Sequence, residues 1–334
     1  GIMSPNDNSS HYYAISSADV DQACFIALNG NSKVYLWEYR LPMPGAHSSG
    51  TDGFYLLAKE NPTMIQAVCE ALKALNPKGI SDEKIREMLF LSAKRGIPTV
   101  KNLASGGKNA LGEVGVLVTL NLLQGNMLEN PRAGLMPALM EHDNNVFINI
   151  LVPMDIFRER YEALWGSSQH VQRPDIVSFS IKCRKCESSY APIALCISPI
   201  EVKTRLENLT ATQKEDALEQ CKPFMQLFDS EPATQIDRWE RNDFIISMMT
   251  FGFRVYQSIP ELISILISIY PEVIKCIFEF KNFVRINKNP RLSVIHNIPD
   301  SKLSSVSEGI PCIFEMSHED GFGIATTGQI PDAF

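Results

Sequence analysis

The chain has 334 residues, 45% hydrophobic and 21% charged, with Lys+Arg 31 against Asp+Glu 38 and a formal net charge of −7. That composition excludes a disordered or fibrous chain, and the length suits about two domains with real cores. The acidic balance excludes a protein that coats nucleic acid with its whole surface, while leaving room for a local basic cleft.

Residues 12–59 alternate in short aromatic and β-branched runs ("YYAISS", "ACFIAL", "KVYLWEYRL", "FYLLAK"), with a turn at Asn29-Gly30-Asn31. This predicts an antiparallel β meander. Pro62 opens a helical stretch, Pro77-Lys78-Gly79 stops it, and Ser81 caps a second helix that ends at Gly96-Ile97-Pro98. A loop follows with Lys94, Arg95, Lys101 and Lys108 and no acid before Glu113. It lacks the Walker A spacing, which excludes an ATP site of that kind there.

A helix is expected from about Ala110 to Leu123, then a buried strand "NVFINILVP" and a helix over about 154–165. "PDIVSFSI" and "APIALCISPIEVKT" read as two further strands, with Cys183 and Cys186 between them as a polar hairpin tip. One C-x-x-C has no second ligand pair at a suggestive spacing for structural zinc, although Cys196 and His170 are near enough in sequence to complete a site; two incidental thiols are the favoured reading. "TATQKEDALEQCKPFMQLF" reads as one amphipathic helix, and another covers about 238–256. Residues 260–280 are the most apolar stretch, but Glu261, Pro271, Glu272 and Lys275 interrupt it, so two buried helices are expected rather than a membrane span. "RLSVIHN", "PCIFEMS" and "GFGIATT" return to strands. The implied organisation is a β-rich region at 1–60, a helical linker with a basic loop at 61–107, a core at 108–257, and C-terminal helices and strands at 258–334. The absence of a basic segment before an apolar run near residue 1 predicts a cytoplasmic protein, and cysteines in apolar runs suit that reduced compartment.

The chemistry concentrates at Pro174-Asp175 and, after 25 intervening residues, Glu201-Val202-Lys203. Glu201 and Lys203 end an apolar strand, where period-2 geometry puts both side chains on one face. A hairpin would carry Asp175, at the start of the preceding strand, toward Glu201. Two carboxylates and an ammonium converging at a sheet end suit metal-assisted phosphodiester hydrolysis, because carboxylates hold hard Mg²⁺ or Mn²⁺ through oxygen.

This pattern resembles the PD-(D/E)xK nuclease superfamily, over about residues 108–230. The resemblance implies an α/β restriction-endonuclease-like fold, a mixed sheet flanked by helices. It also implies a Mg²⁺-dependent DNA endonuclease (Mn²⁺ as substitute) acting in prokaryotic restriction or antiviral defence. By resemblance, Asp175, Glu201 and the Val202 carbonyl are metal ligands and Lys203 the catalytic lysine. Mrr-like and RecB-like branches place a Gln on the following helix, where Gln220 is favoured over Gln213. A Glu from the first core helix often joins the ligands, which points to Glu113, with Glu162 as its rival. The segment 95–124, followed by the "ILVPMD" strand and helix, is also similar to segments that accompany HerA/FtsK-type ATPases of bacterial defence, which implies such a partner alongside DNA. Lys108, Arg173, Arg205, Lys281 and Arg285 are the expected phosphate contacts. No membrane association is expected, and a homo-oligomer is compatible with the sequence.

Two readings compete with the enzyme. One is a nuclease-like module that binds DNA or an ATPase without cutting. The other is an unrelated adaptor, with Glu201 and Lys203 a same-face ion pair worth ~0–1 kcal/mol when exposed.

Overall fold

A computed structural model describes residues 13–15, 34–40, 53–59, 66, 107–125, 127, 130–165, 171–205, 209–229, 231–256, 259–280, 282–288, 290–296 and 312–315. Three strands lie in the first sixty residues: β1 (Tyr13–Ile15), β2 (Val34–Arg40) and β3 (Gly53–Lys59). They form an antiparallel sheet in the order β1-β3-β2. The "ACFIAL" and "GFGIATT" strands, the two helices expected within 61–107 and the basic loop lie outside the described residues.

The larger sheet begins after helix α1 (Gly107–Gln124). Strands β4 (Leu139–His142) and β5 (Asn145–Pro153) form a hairpin, and a 3-10 turn (Met154–Phe157) leads into α2 (Arg158–Leu164). A second hairpin pairs β6 (Ile176–Lys185) with β7 (Tyr190–Arg205). Then come α3 (Ala211–Glu219), α4 (Lys222–Asp229), α5 (Gln235–Val255), α6 (Pro260–Glu279), β8 (Val284–Ile286), β9 (Arg291–His296) and β10 (Cys312–Glu315). The strand order is β10-β9-β7-β6-β5-β4, with β8 also on β7. Pairings are antiparallel except that β8 and β9 run parallel to β7, so the sheet is mixed. This is an α/β protein with a mixed sheet flanked by helices.

Three expectations need correction. The stretch 260–280 is one continuous helix. Pro271 removes one backbone donor, but it and Ile267, whose carbonyl that donor would serve, are both exposed, so water can serve the carbonyl instead. Conversely, the helix expected through Phe228 breaks into α3 and α4 at Gln220–Cys221, because the Pro223 ring is incompatible with continued helix over the preceding turn. And β8, β9 and β10 complete the same sheet as β4–β7, so the cut after residue 257 does not part an accessory element from a core.

Pro199 explains why β8 and β9 are separate. β8 pairs with Leu195–Ile197 and β9 with Ile200–Arg205, and the gap falls where Pro199 offers β7 no N–H. Alternation along the strands decides the two faces. Val146, Ile148, Ile150 and Val152 of β5, Val177, Phe179 and Ile181 of β6, and Leu195 and Ile197 of β7 share one core with α4, α5 and α6. The intervening residues face α1, where a Cβ on Gly115 would overlap the Thr204 hydroxyl and lie 3.5 Å from Val202 Cγ1.

Candidate active site

The β6–β7 ladder ends at Ile176 opposite Ile200. Asp175 stands one residue before the first partner and Glu201 one residue after the second, so the two acids meet at the sheet end. The extra length of the hairpin is absorbed by one register shift between Lys182 and Cys183 and by its tip at 186–189. Cys183 is therefore buried within β6, while Cys186 is exposed at the tip, its thiol 3.9 Å from the Arg184 carbonyl.

Asp175 occupies the place where β6 leaves the ladder. Its Oδ2 accepts from the Val202 N–H at 2.9 Å, and its carbonyl accepts from the Met154 N–H at 2.9 Å. In a strand the N–H and C=O of one residue point to the same edge, so the Val202 carbonyl also faces the Asp175 side.

Glu201 and Lys203 project together on the face opposite α1. Lys203 Nζ donates to Glu201 Oε1 at 2.5 Å and to Gln220 Oε1 at 3.1 Å. Glu201 is only 2% exposed, and among the described residues no donor reaches its buried Oε2, the Asp175 carboxyl being its side-chain neighbour. Burial first, and the Asp175 charge second, push the Glu201 carboxyl up to about 8 against the pull of Lys203. Burial also raises Asp175, opposed by the Val202 N–H and by Lys203 and Arg173. The pair thus favours retaining a proton, which a cation would displace.

The two glutamines have separate roles. Gln213 closes a capping box on α3: its Oε1 accepts from the Thr210 N–H at 2.9 Å, and its own N–H donates to Thr210 Oγ1 at 3.3 Å. Gln220 sits at the break before α4, which lets its side chain reach Lys203. The structure therefore brings Asp175, Glu201, Lys203, Gln220 and the Val202 backbone to one place.

Glu113 is buried on α1, but α1 packs on the Val202–Thr204 face, opposite the Glu201 side chain. Glu162 lies on α2. Among the described residues no set of three or more His, Cys, Asp or Glu side chains is grouped to hold a metal ion, so neither glutamate completes such a set with Asp175 and Glu201. The oxygen donors at hand are the Asp175 and Glu201 carboxylates and the Val202 carbonyl. That all-oxygen set, with one buried carboxylate oxygen unserved, fits a hard divalent cation.

Of the expected phosphate contacts, Arg173 is ion-paired with Asp155 on the 3-10 turn, and its charge is one of those that oppose the rise at the Asp175 carboxyl. Arg285 is exposed on β8, in register with Cys196 and hence on the α1 face. Lys108 is in the first turn of α1 and Arg205 ends β7, with side chains outside the described ones, and Lys281 lies outside the described residues altogether. Sequence reasoning missed two neighbours of the site. Cys221 is fully buried, its thiol raised by burial and by the Glu201 and Asp175 charges, and adjacency to Gln220 was its available signal. The Asp155–Arg173 pair joins segments 18 residues apart and had no such signal.

Compared with known protein families, with curated proteins and with solved structures, the chain matches none. No helix among the described residues is long and apolar enough to cross a membrane.

Proposed function

We propose that the chain is a Mg²⁺-dependent DNA endonuclease of the PD-(D/E)xK type, acting in prokaryotic restriction or defence, with a HerA/FtsK-type ATPase as a candidate partner. The observation that carries the reading is the clamp of Lys203 between Glu201 and Gln220 beside the buried Glu201 and Asp175 carboxyls, with a Glu201 oxygen that no donor reaches among the described residues. A surface ion pair would have neither the burial nor the third partner.

Asp175, Glu201 and the Val202 carbonyl would hold the ion. Once bound, it supplies a water of lowered pKa and neutralises charge on the phosphate. The remaining work belongs to the chain. An ammonium has three donors, and Glu201 and Gln220 engage two, which leaves one for a non-bridging phosphate oxygen or the attacking water. Gln220 fixes the direction of that donor, so its contribution is positional. The Lys203 charge opposes the negative charge that develops at phosphorus. Arg173, held by its ion pair with Asp155, would meet a neighbouring phosphate.

A non-cleaving binding module is the second reading. It is favoured by the engagement of Asp175 with the Val202 N–H and by the lack, among the described residues, of a third acid grouped with Asp175 and Glu201. Cleavage of plasmid and linear DNA with Mg²⁺, Mn²⁺ or EDTA separates the two. The nuclease reading expects metal-dependent cutting that falls at least ~10²-fold in Glu201→Ala and Lys203→Ala, the size of an electrostatic contribution of this kind. Equal cutting by all three proteins would remove the assignment. DNA retention without cutting by any of them would establish the module.

A further inference from the structure

Arg291 opens β9 opposite Ile200, so its side chain lies on the α1 face, opposite the one that carries Glu201. It is 3% exposed. A guanidinium has five donors, is always charged and accepts nothing. Among the described residues, Nη1 meets only the thioether of Met136 at 3.6 Å, a weak acceptor, and the buried Nε meets no acceptor. Among the described residues no carboxylate pairs with it, and burial lowers its pKa. Proteins rarely bury a charge without a counter-charge.

The surroundings suggest where that counter-charge enters. Arg285 stands on the same sheet face, in register with Cys196, and it too makes no ion pair among the described residues. Cys196 and Ile200 are four residues apart on β7, about 13 Å along the strand. Ser198 lies between them on the same face, beside the break that Pro199 imposes, where Asn287 is buried. An exposed arginine thus stands at one end of this row of β7 partners, and a buried arginine that no strong acceptor reaches among the described residues stands at the other.

We propose that Arg291 and Arg285 form an anion site on the α1 face at the β8–β9 break, taking a phosphate group with Arg291 as its floor. The site is separate from Glu201 and Lys203 and does not depend on the nuclease reading. Phosphate fits because a guanidinium offers paired N–H donors matched to its oxygens. The phosphate is supplied either as the free ion or as the terminal group of a mononucleotide.

The test is thermal and NMR titration of the full chain with inorganic phosphate, against sodium chloride at matched ionic strength, and in parallel with a 5′-mononucleotide. Phosphate is expected to raise the melting temperature and to shift the solvent-protected Arg291 Nε–Hε resonance. Tighter binding of the mononucleotide, by tenfold or more, assigns the group to a nucleotide; equal or weaker binding assigns it to the free ion. Arg291→Met keeps the stem and removes the charge. It is expected to melt no lower than the parent without phosphate and to lose the phosphate response. Arg285→Gln, at an exposed position where folding is not at risk, is expected to weaken phosphate at least fivefold. A melting temperature that responds to chloride as much as to phosphate overturns the proposal. So does an unchanged response in Arg285→Gln, and so does Arg291→Met melting lower while still responding to phosphate.

Discussion

The same strands present opposite chemistry to their two helical layers. Toward α4, α5 and α6 the sheet offers Ile148, Ile150, Val177, Phe179, Ile181 and Ile197, all without measurable exposure. Toward α1 it offers Asn149, Ser178, Ser180, Ser198 and Ser293, also buried. The polar layer is hydrogen-bonded within itself. Ser180 donates to Asn149 Oδ1 at 2.6 Å, Ser178 to the Ser198 carbonyl at 3.3 Å, and Thr119 and Ser293 join their hydroxyls at 2.8 Å. Satisfied polar groups of this kind add about 1 kcal/mol each, whereas buried large apolar side chains add about 1.5–3 kcal/mol. The face toward α4, α5 and α6 therefore carries the larger apolar share of the stability, while the α1 face combines these polar groups with buried Leu151, Ile176, Ile200 and Val202.

Truncation on the apolar face should have the largest effect. Phe179→Ala deletes a ring at the centre of that core and should cost about 3–5 kcal/mol, read as a drop in the urea midpoint at constant m. A loss below 1 kcal/mol would mean that the two faces share the stability, and the contrast would fail.

The second prediction concerns Glu201, the one carboxylate carried on the apolar side of β7 near the sheet end. Its carboxyl is raised to about 8 in the folded state from an ordinary 4.5. The folded chain holds this proton more tightly than the unfolded chain. Its stabilising effect is thus complete below about pH 4.5 and is lost as pH rises through about 8. In metal-free buffer the melting temperature should fall between pH 5.5 and 8.5, and Glu201→Gln should flatten that slope. Each pH unit in the window corresponds to at most about 1.4 kcal/mol. An unchanged slope in the variant would place the charge stress elsewhere.

Much of this contrast is visible in the sequence, and what is not visible depends on contacts between distant segments. Alternation in "IVSFSI" and "ALCISPIEVK" already separates the faces of β6 and β7, and the position of Asp175 before one strand and Glu201 within the next anticipates their meeting. Pro223 is a local signal for the break that frees Gln220, yet helical periodicity through Phe228 masks it. The parallel pairing of β9 with β7 joins Ile200 to Arg291 across the intervening helices, and no periodicity announces it. Glu113 looked suitable by sequence because its helix was legible, but the face that helix would cover was not.

A smaller effect is expected at the outer edge of β5, where the layers exchange a contact. The Tyr256 hydroxyl, from the apolar side, accepts from the Leu151 N–H at 3.2 Å and from Gln124 Nε2 at 2.7 Å at the end of α1. Tyr256→Phe keeps the ring and strands both donors, so about 1–2 kcal/mol should be lost. The loss should appear as faster amide exchange at Leu151 as well as in the melting temperature. If only global stability changed, the hydroxyl would be acting through core packing rather than as an edge cap.

The smallest effect should come from the pair that ties α1 to β9. Replacing both hydroxyls, in Thr119→Val with Ser293→Ala, removes donor and acceptor together, and such exchanges are close to neutral. The double variant should lie within about 1 kcal/mol of the parent by urea denaturation, with each single variant lower because it removes one side of the hydroxyl pair and keeps the other. Neutrality would show that stability does not require this hydroxyl pair. A double-variant loss above 2 kcal/mol would instead make the hydroxyl pair a structural fastening of α1, and the two faces would then differ in composition but not in purpose.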